Sequence, residues 1–376
     1  MKLVIFGLTV TSSWGNGHAT LWRGLCRWLG EHGNDVCFFE HDVPYYASHR
    51  DLYELPGGRL HLYGDWSEVA PLARKELEDA EVGMVTSYCP DAVFATELLL
   101  DSNAKLRTFY DLDTPVTLDR LRAGEPVSYI GPRGLSDFDL VISYTGGGAL
   151  EELKTRLGAR RVAPLYGSVD PEIHRPVPAI EAYRADLSYL GTYAADRQAM
   201  LDQLFIAPAR RLADKRFLIG GALYPQDFPW APNIFFVRHV PPGAHAAFYS
   251  SCRLTLNVTR RAMAEMGYCP SGRLFEAAAA GAPILTDWWE GLDEFFEPGS
   301  EILVAENTEA AMEAIQLPDN QLRRISCAAR RRIFSEHTAE RRAQQLEAIL
   351  QNALIELSEP PAAADNSAAS SVMQVR

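Results

Sequence analysis

Two consecutive doubly wound α/β domains are what this chain of 376 residues predicts, on three observations. Short continuous apolar segments, the mark of parallel strands covered on both faces, alternate with segments of helical spacing. The same rhythm runs twice, before and after a proline-rich break at 167–178. The length also exceeds the ~250–300 residues over which a single hydrophobic core grows.

In the first half the apolar runs place strands at 3–8, 36–40, 82–87, 107–110, 140–144 and 162–166. Between the first two, Leu21, Trp22, Leu25, Trp28 and Leu29 recur at helical spacing until Gly33 stops the helix. Further helices are expected at 92–100 and at 149–157, the latter opened by Gly146-Gly147-Gly148. The second half places strands at 187–190, 216–220, 234–237, 254–257 and 284–286. Its helices fall at 196–204, at 244–250 and across Glu276, and arginine-rich helices follow Asp319. The predicted domains are 1–167 and 168–350. A tail at 358–376, rich in Ala, Ser and Pro, is expected to be disordered. Sheets of this kind bind ligands beyond the carboxyl ends of their strands, so the cleft between the two domains is the expected site.

Composition narrows the function. Hydrophobic residues make up 47% and charged residues 23%, as in folded soluble proteins. A formal net charge of -13 argues against a nucleic-acid or anionic-membrane surface, which calls for a basic footprint. No apolar run reaches the ~20 residues of a membrane span. The N-terminus enters Leu3-Val4-Ile5-Phe6 without a signal-peptide layout, so the cytoplasm is the expected location. Six cysteines without a C-x-x-C pair are expected to be reduced and mostly buried, with no metal or redox role.

The most informative stretch is Pro270-Ser271-Gly272-Arg273-Leu274-Phe275-Glu276. Its loop can present backbone N–H groups at a helix N-terminus, where anions are favoured. Glu276 falls about one helical turn in, within reach of a sugar hydroxyl beside that anion. Phosphate and diol recognised together suggest a nucleotide; an ordinary αβ unit with a solvated Glu276 is the plain alternative. Gly15-Asn16-Gly17 after the first strand allows close backbone approach, and His18 opens the next helix, which suits either a neutral general base or a cap. Asp111-Leu112-Asp113 can hold a divalent metal or build a turn with Thr114-Pro115, and Asp113 alone can face an acceptor at the cleft. Gly191-Thr192 with Arg197, His239, and Asn257 followed by Arg260 and Arg261 all stand at strand ends of the second half. Arg260, Arg261 and Arg273 form a local positive patch in an acidic chain, placed for phosphate.

Together these residues resemble the GT-B glycosyltransferases, in particular their CgeB-like, spore-maturation-type branch, over nearly the whole chain to about residue 350. Arg273-Leu274-Phe275-Glu276-Ala277, Gly281-Ala282-Pro283, Thr286-Asp287-Trp288-Trp289-Glu290-Gly291-Leu292 and Phe295-Phe296-Glu297-Pro298-Gly299 carry the resemblance most specifically. Tyr110-Asp111-Leu112-Asp113-Thr114-Pro115 and Val169-Asp170-Pro171 add to it. It implies two Rossmann-like domains facing a cleft and a glycosyltransferase of hexosyltransferase type. A nucleoside diphosphate sugar is the implied co-substrate, with no other cofactor and no metal. Glu276 would take the ribose hydroxyls, with Ser271, Gly272 and Arg273 near the diphosphate. Gly191, Thr192, Arg197, His239, Asn257 and Tyr268 would complete the donor pocket, while His18 and Asp113 would serve an acceptor of unknown class. Many retaining members carry E-x7-E, and here Tyr268 stands where the first glutamate belongs, with Glu265 nearby as a substitute. That departure leaves open a nucleotide-sugar epimerase or hydrolase, and a non-catalytic nucleotide-sugar-binding scaffold.

Overall fold

The computed structural model describes residues 1–359. Its first sheet holds seven parallel strands in the order β3-β2-β1-β4-β5-β6-β7. These are β1 (Lys2–Gly7), β2 (Asp35–His41), β3 (Arg59–Tyr63), β4 (Val82–Thr86), β5 (Leu106–Asp111), β6 (Leu140–Ser143) and β7 (Val162–Pro164). The second sheet holds six, in the order β10-β9-β8-β11-β12-β13, again all parallel. They are β8 (Leu187–Leu190), β9 (Phe217–Gly221), β10 (Ile234–Arg238), β11 (Thr255–Asn257), β12 (Ile284–Thr286) and β13 (Leu303–Val304). The apolar runs predict both doubly wound sheets and eleven of these thirteen strands, all but β3 and β13. Each sheet is covered on both faces, and four apolar clusters, two per sheet, form the cores.

In each sheet the strand order reverses next to the first strand, between β1 and β4 and between β8 and β11. Neighbouring loops diverge there and leave a crevice at the carboxyl ends. The loop after β1 is held rigidly at that point by Glu40, at the end of β2. This carboxylate is buried and accepts the amide N–H groups of Val10 at 2.7 Å and Thr11 at 3.1 Å, and the hydroxyls of Thr9 and Thr11.

Several elements differ from the sequence reading. The edge strand β3 and the helix Trp66–Leu77 were not expected; the strand alternates polar with apolar residues, and Pro71 interrupts the helical pattern. Thr114-Pro115 does not merely turn the chain. It starts the helix Thr114–Arg122, where proline sits in the first turn and its missing N–H costs nothing. The helix expected at 196–204 runs on to Arg211 through a π-turn at Asp202–Ile206, ahead of Pro208.

The largest difference concerns the last helix, Ala339–Ser358. Ala343, Leu346 and Leu350 leave the second lobe and join the core of the first beside Leu25 and Leu29. The chain therefore crosses between the lobes twice, and the crossings pair. The Val169 N–H donates to His337 at 3.0 Å and the Ala339 N–H to Val169 at 2.8 Å. The buried Arg342 guanidinium closes the hinge by donating to the Gly167 carbonyl at 3.0 and 3.2 Å. Of the tail expected at 358–376, Ser358 ends that helix and 360–376 lie outside the described residues.

His337 reports on this hinge. Its ring stacks on Phe275 at 4.8 Å, and burial, then the charges of Arg342 and Arg332, push its pKa down to about 3. An unfolded imidazole protonates near 6.5, so between those values the unfolded chain binds the extra proton and acid costs stability. The urea-unfolding stability of the wild type relative to His337→Gln should therefore fall as pH is lowered from about 7 to about 4. A pH-independent difference would contradict the buried neutral state.

Candidate functional site

Between the lobes, at the carboxyl ends of both sheets, lies a cleft of about 630 Å³. A smaller cavity of about 190 Å³ adjoins it and shares Gly17, Ser271, Gly272 and Glu276. From the first lobe, Gly15, Asn16 and Gly17 line the cleft; from the second, Gly191, Thr192, His239, Ser271, Gly272, Arg273 and Glu276 do. His18 and Asp113 line the smaller cavity.

The second lobe makes the wall positive. Ser271 precedes the helix Gly272–Ala279 without a side-chain cap, so the first-turn amides are left for the cleft. Arg273 donates to the carbonyls of Leu190 at 2.7 Å and Val258 at 3.2 Å, which ties the ends of β8 and β11 together beneath the Gly191 loop. At Gly191 a Cβ would stand 2.8 Å from the Arg273 guanidinium, which would have to shift to admit it. Arg197 lines neither cavity but buttresses the same loop, donating to the Thr192 carbonyl at 3.3 Å while its Nε has no partner. Burial, then the charges of Arg273 and Arg260, lower the Arg197 pKa to about 10. Arg260 pairs with Asp196 at 3.2 Å, whereas neither Arg197 nor Arg273 has a carboxylate partner among the described residues.

Glu276 is held by a residue the sequence did not single out. His245 Nδ1 lies 3.0 Å from its carboxylate. Burial would raise the Glu276 pKa, but the His245 hydrogen bond and charge outweigh it and keep the carboxyl below its usual range. Burial likewise opposes the charge on His245, and the same bond raises its pKa. The two groups thus favour an ionised, oriented carboxylate.

On the first lobe, His18 is the second residue of its helix, and its N–H donates to the Asn16 side chain at 3.1 Å. Burial lowers its pKa to about 4, and its Nδ1 has no partner. Tyr88, in a left-handed backbone conformation at φ 61°, joins His18 to Asp113. Its ring meets the imidazole edge-on at 5.7 Å, and its hydroxyl donates to Asp113 at 3.1 Å. Burial raises the Asp113 pKa. Asp111 is fully buried instead, accepts the Asp113 N–H at 3.1 Å, and is pushed up to about 6 by burial. The Asp111 carboxylate thus holds the turn that leads into the helix Thr114–Arg122, whereas Asp113 lines the smaller cavity.

Besides Arg197, two more expected residues stand away from the cavities. Asn257 lies in a buried network, donating to Thr286 at 3.1 Å and Thr259 at 3.4 Å while its Oδ1 has no partner among the described residues. Tyr268 is a wedge between lobes: its carbonyl accepts the Gly146 N–H at 3.0 Å, and its ring covers Gly147 and Gly291, where a Cβ would come within 2.3 and 2.5 Å. Glu265 is exposed beside Arg261, at 3.7 Å, and lines neither cavity. His239, at φ 53°, stacks at 3.5 Å on Trp14, whose other neighbour is His49 at 4.3 Å, so an aromatic sandwich bridges the mouth of the cleft.

Solved structures of the same architecture decide the fold. Sucrose-phosphate synthase from Thermosynechococcus elongatus aligns with TM-score 0.69 at 14% identity, over 95% of this chain and 100% of that one. The chain has the GT-B fold. HepE from Anabaena, solved with UDP-glucose, aligns with TM-score 0.62 at 12% identity, over 94% and 100% of the two chains. An alpha-glucosyltransferase solved with UDP aligns with TM-score 0.66 at 13% identity, over 93% and 100%. Residues 197–348, most of the second GT-B lobe, match the family model described as glycosyl transferase-like. No curated protein matches the chain in sequence. Among the described residues no helix is long and apolar enough to cross a membrane.

The wedge role of Tyr268 can be measured. Tyr268→Ala should lower urea-unfolding stability by about 1–3 kcal/mol, and Glu265→Ala by no more than about 0.5 kcal/mol. Equal small effects would remove Tyr268 from the lobe contact.

Proposed function

We propose that this protein is a glycosyltransferase of hexosyltransferase type, of the CgeB-like branch, acting in the cytoplasm. It moves a sugar from a nucleoside diphosphate donor to an acceptor hydroxyl and uses no resident metal ion. The observation that carries this reading is the pair of half-buried arginines, Arg197 and Arg273, without carboxylate partners beside an uncapped helix start and an oriented Glu276. Unpaired charge at such a position is costly until an anion arrives. The match of 197–348 to a glycosyl transferase-like family supports the same assignment. UDP is the first candidate nucleotide, because two similar GT-B structures were solved with UDP or UDP-glucose.

In this reading the diphosphate meets the amides of Gly272 and Arg273 and the Arg273 guanidinium, while Arg197 and Arg260 add positive charge from behind the wall. Positive charge fixed there stabilises the negative charge that grows on the leaving diphosphate as the glycosidic bond to the acceptor forms. Glu276 accepts the ribose hydroxyls and His245 orients it. His239 and the loop that follows it border the base. The acceptor enters the smaller cavity, where Asp113, made more basic by burial, or neutral His18 takes its hydroxyl proton. The net charge of -13 disfavours a nucleic-acid acceptor, although one similar fold was solved with UDP-glucose and DNA.

A thermal-shift screen against UDP, GDP, dTDP, ADP and CMP, with and without EDTA, identifies the donor. A nucleotide-selective rise that survives EDTA is expected, and no shift with any nucleotide would overturn the reading. Glu276→Ala should weaken the selected nucleotide by about 1–3 kcal/mol, and unchanged affinity would remove Glu276 from the ribose site. Turnover of the sugar nucleotide without acceptor would instead favour an epimerase or hydrolase, and binding without any turnover a scaffold.

A further inference from the structure

A second positive groove lies outside the cleft, on the helix Asp319–Glu336. That helix carries Arg323, Arg324, Arg330, Arg331 and Arg332, and two of the five are committed. Arg330 donates to the Ala279 carbonyl at 3.2 Å and lies over Phe334, and Arg332 pairs with Glu301 at 3.3 Å and Glu336 at 2.9 Å. Arg323, Arg324 and Arg331 have no carboxylate within 4.0 Å among the described residues. Spaced at i, i+1 and i+8, they line one cavity of about 640 Å³, closed by the Gly299-Ser300 turn. Asn320 and Gln321, whose side chains make no hydrogen bond among the described residues, line it as well.

We propose that this groove binds a small phosphorylated molecule, in a site separate from the cleft. Three exposed guanidinium groups without counterions line this one groove, and a multiply charged phosphate group would satisfy them through paired hydrogen bonds. The free amides of Asn320 and Gln321 suit hydroxyls attached to that phosphate. The cavity has the size of small-molecule sites. A nucleic-acid strand would extend past it onto a protein of net charge -13. The helix also touches the cleft's own helix at its far end, through Arg330 and Ala279, so the groove is built on the same framework.

Cys327 provides a local reporter. It lines the groove and is exposed, whereas the other five cysteines are buried. The rate of Cys327 modification by N-ethylmaleimide should fall, saturably, as pyrophosphate or a hexose phosphate is added. Sodium chloride at matched ionic strength should not reproduce the effect. In Arg324→Gln and Arg331→Gln the concentration for half-protection should rise about tenfold each, the scale of one charge-assisted hydrogen bond. Stronger protection by the hexose phosphate than by pyrophosphate assigns a phosphorylated sugar; the reverse order assigns a free inorganic phosphate. Protection no greater than that of chloride, or unchanged in both variants, overturns the proposal. Because Cys327 reports only on its own groove, this result stands apart from nucleotide binding in the cleft.

Discussion

The structure depends on positive charge gathered where the second sheet reverses its strand order. Arg273 holds the ends of β8 and β11 by their carbonyls and so sets the spacing of the crevice. Arg197 and Arg260 crowd the same space, and only Arg260 has an acidic partner, Asp196. In an acidic protein this arrangement is electrostatically expensive by itself. It becomes favourable when a diphosphate supplies the missing charge, which links the geometry of the strand ends to a ligand class.

The rest of the fold keeps the opposite wall in register with that cluster. Glu40 fixes the loop after β1 from beneath, through backbone amides that no other group satisfies so directly. Tyr268 fills the space that Gly147 and Gly291 leave between the lobes, and the Trp14–His239 stack spans the cleft mouth. Behind them, the paired crossings at Val169 and Thr338, with Arg342 on the Gly167 carbonyl, form a narrow hinge. Besides these two crossings, the lobes meet through the Gly146–Tyr268 and Thr145–Cys269 hydrogen bonds, the Arg27 ion pairs with Asp170 and Glu172, and aromatic contacts.

Much of this was legible in the sequence, for identifiable reasons. Strands buried on both faces announce themselves as continuous apolar runs, which is why Leu3-Val4-Ile5-Phe6 and Leu187–Leu190 were readable. Arg59–Tyr63 alternates and sits at an edge, and Pro71 masks the helix beside it, so neither was. The Ser271-Gly272-Arg273 loop and Glu276 were readable because turn, helix start and acid lie within one short segment. His245, Tyr88 and Glu40 were not, because each meets its partner only through sheet order, 25 to 31 residues away in sequence. Spacing alone also placed Tyr268 and Asn257 toward the ligand, whereas packing turns one into a wedge and buries the other in a hydroxyl network. The return of the last helix to the first lobe was equally hidden, since an amphipathic helix does not state which core it covers.

The central claim is that a nucleoside diphosphate is held by the strand-end cluster of the second lobe. Backbone amide hydrogen exchange, with and without the nucleotide that gives the largest thermal shift, tests it most directly. The account predicts slowed exchange at 191–197, 239–245 and 271–276, with the remainder of the second sheet unchanged. Slowed exchange confined to the first lobe, or none at 271–276, would contradict it.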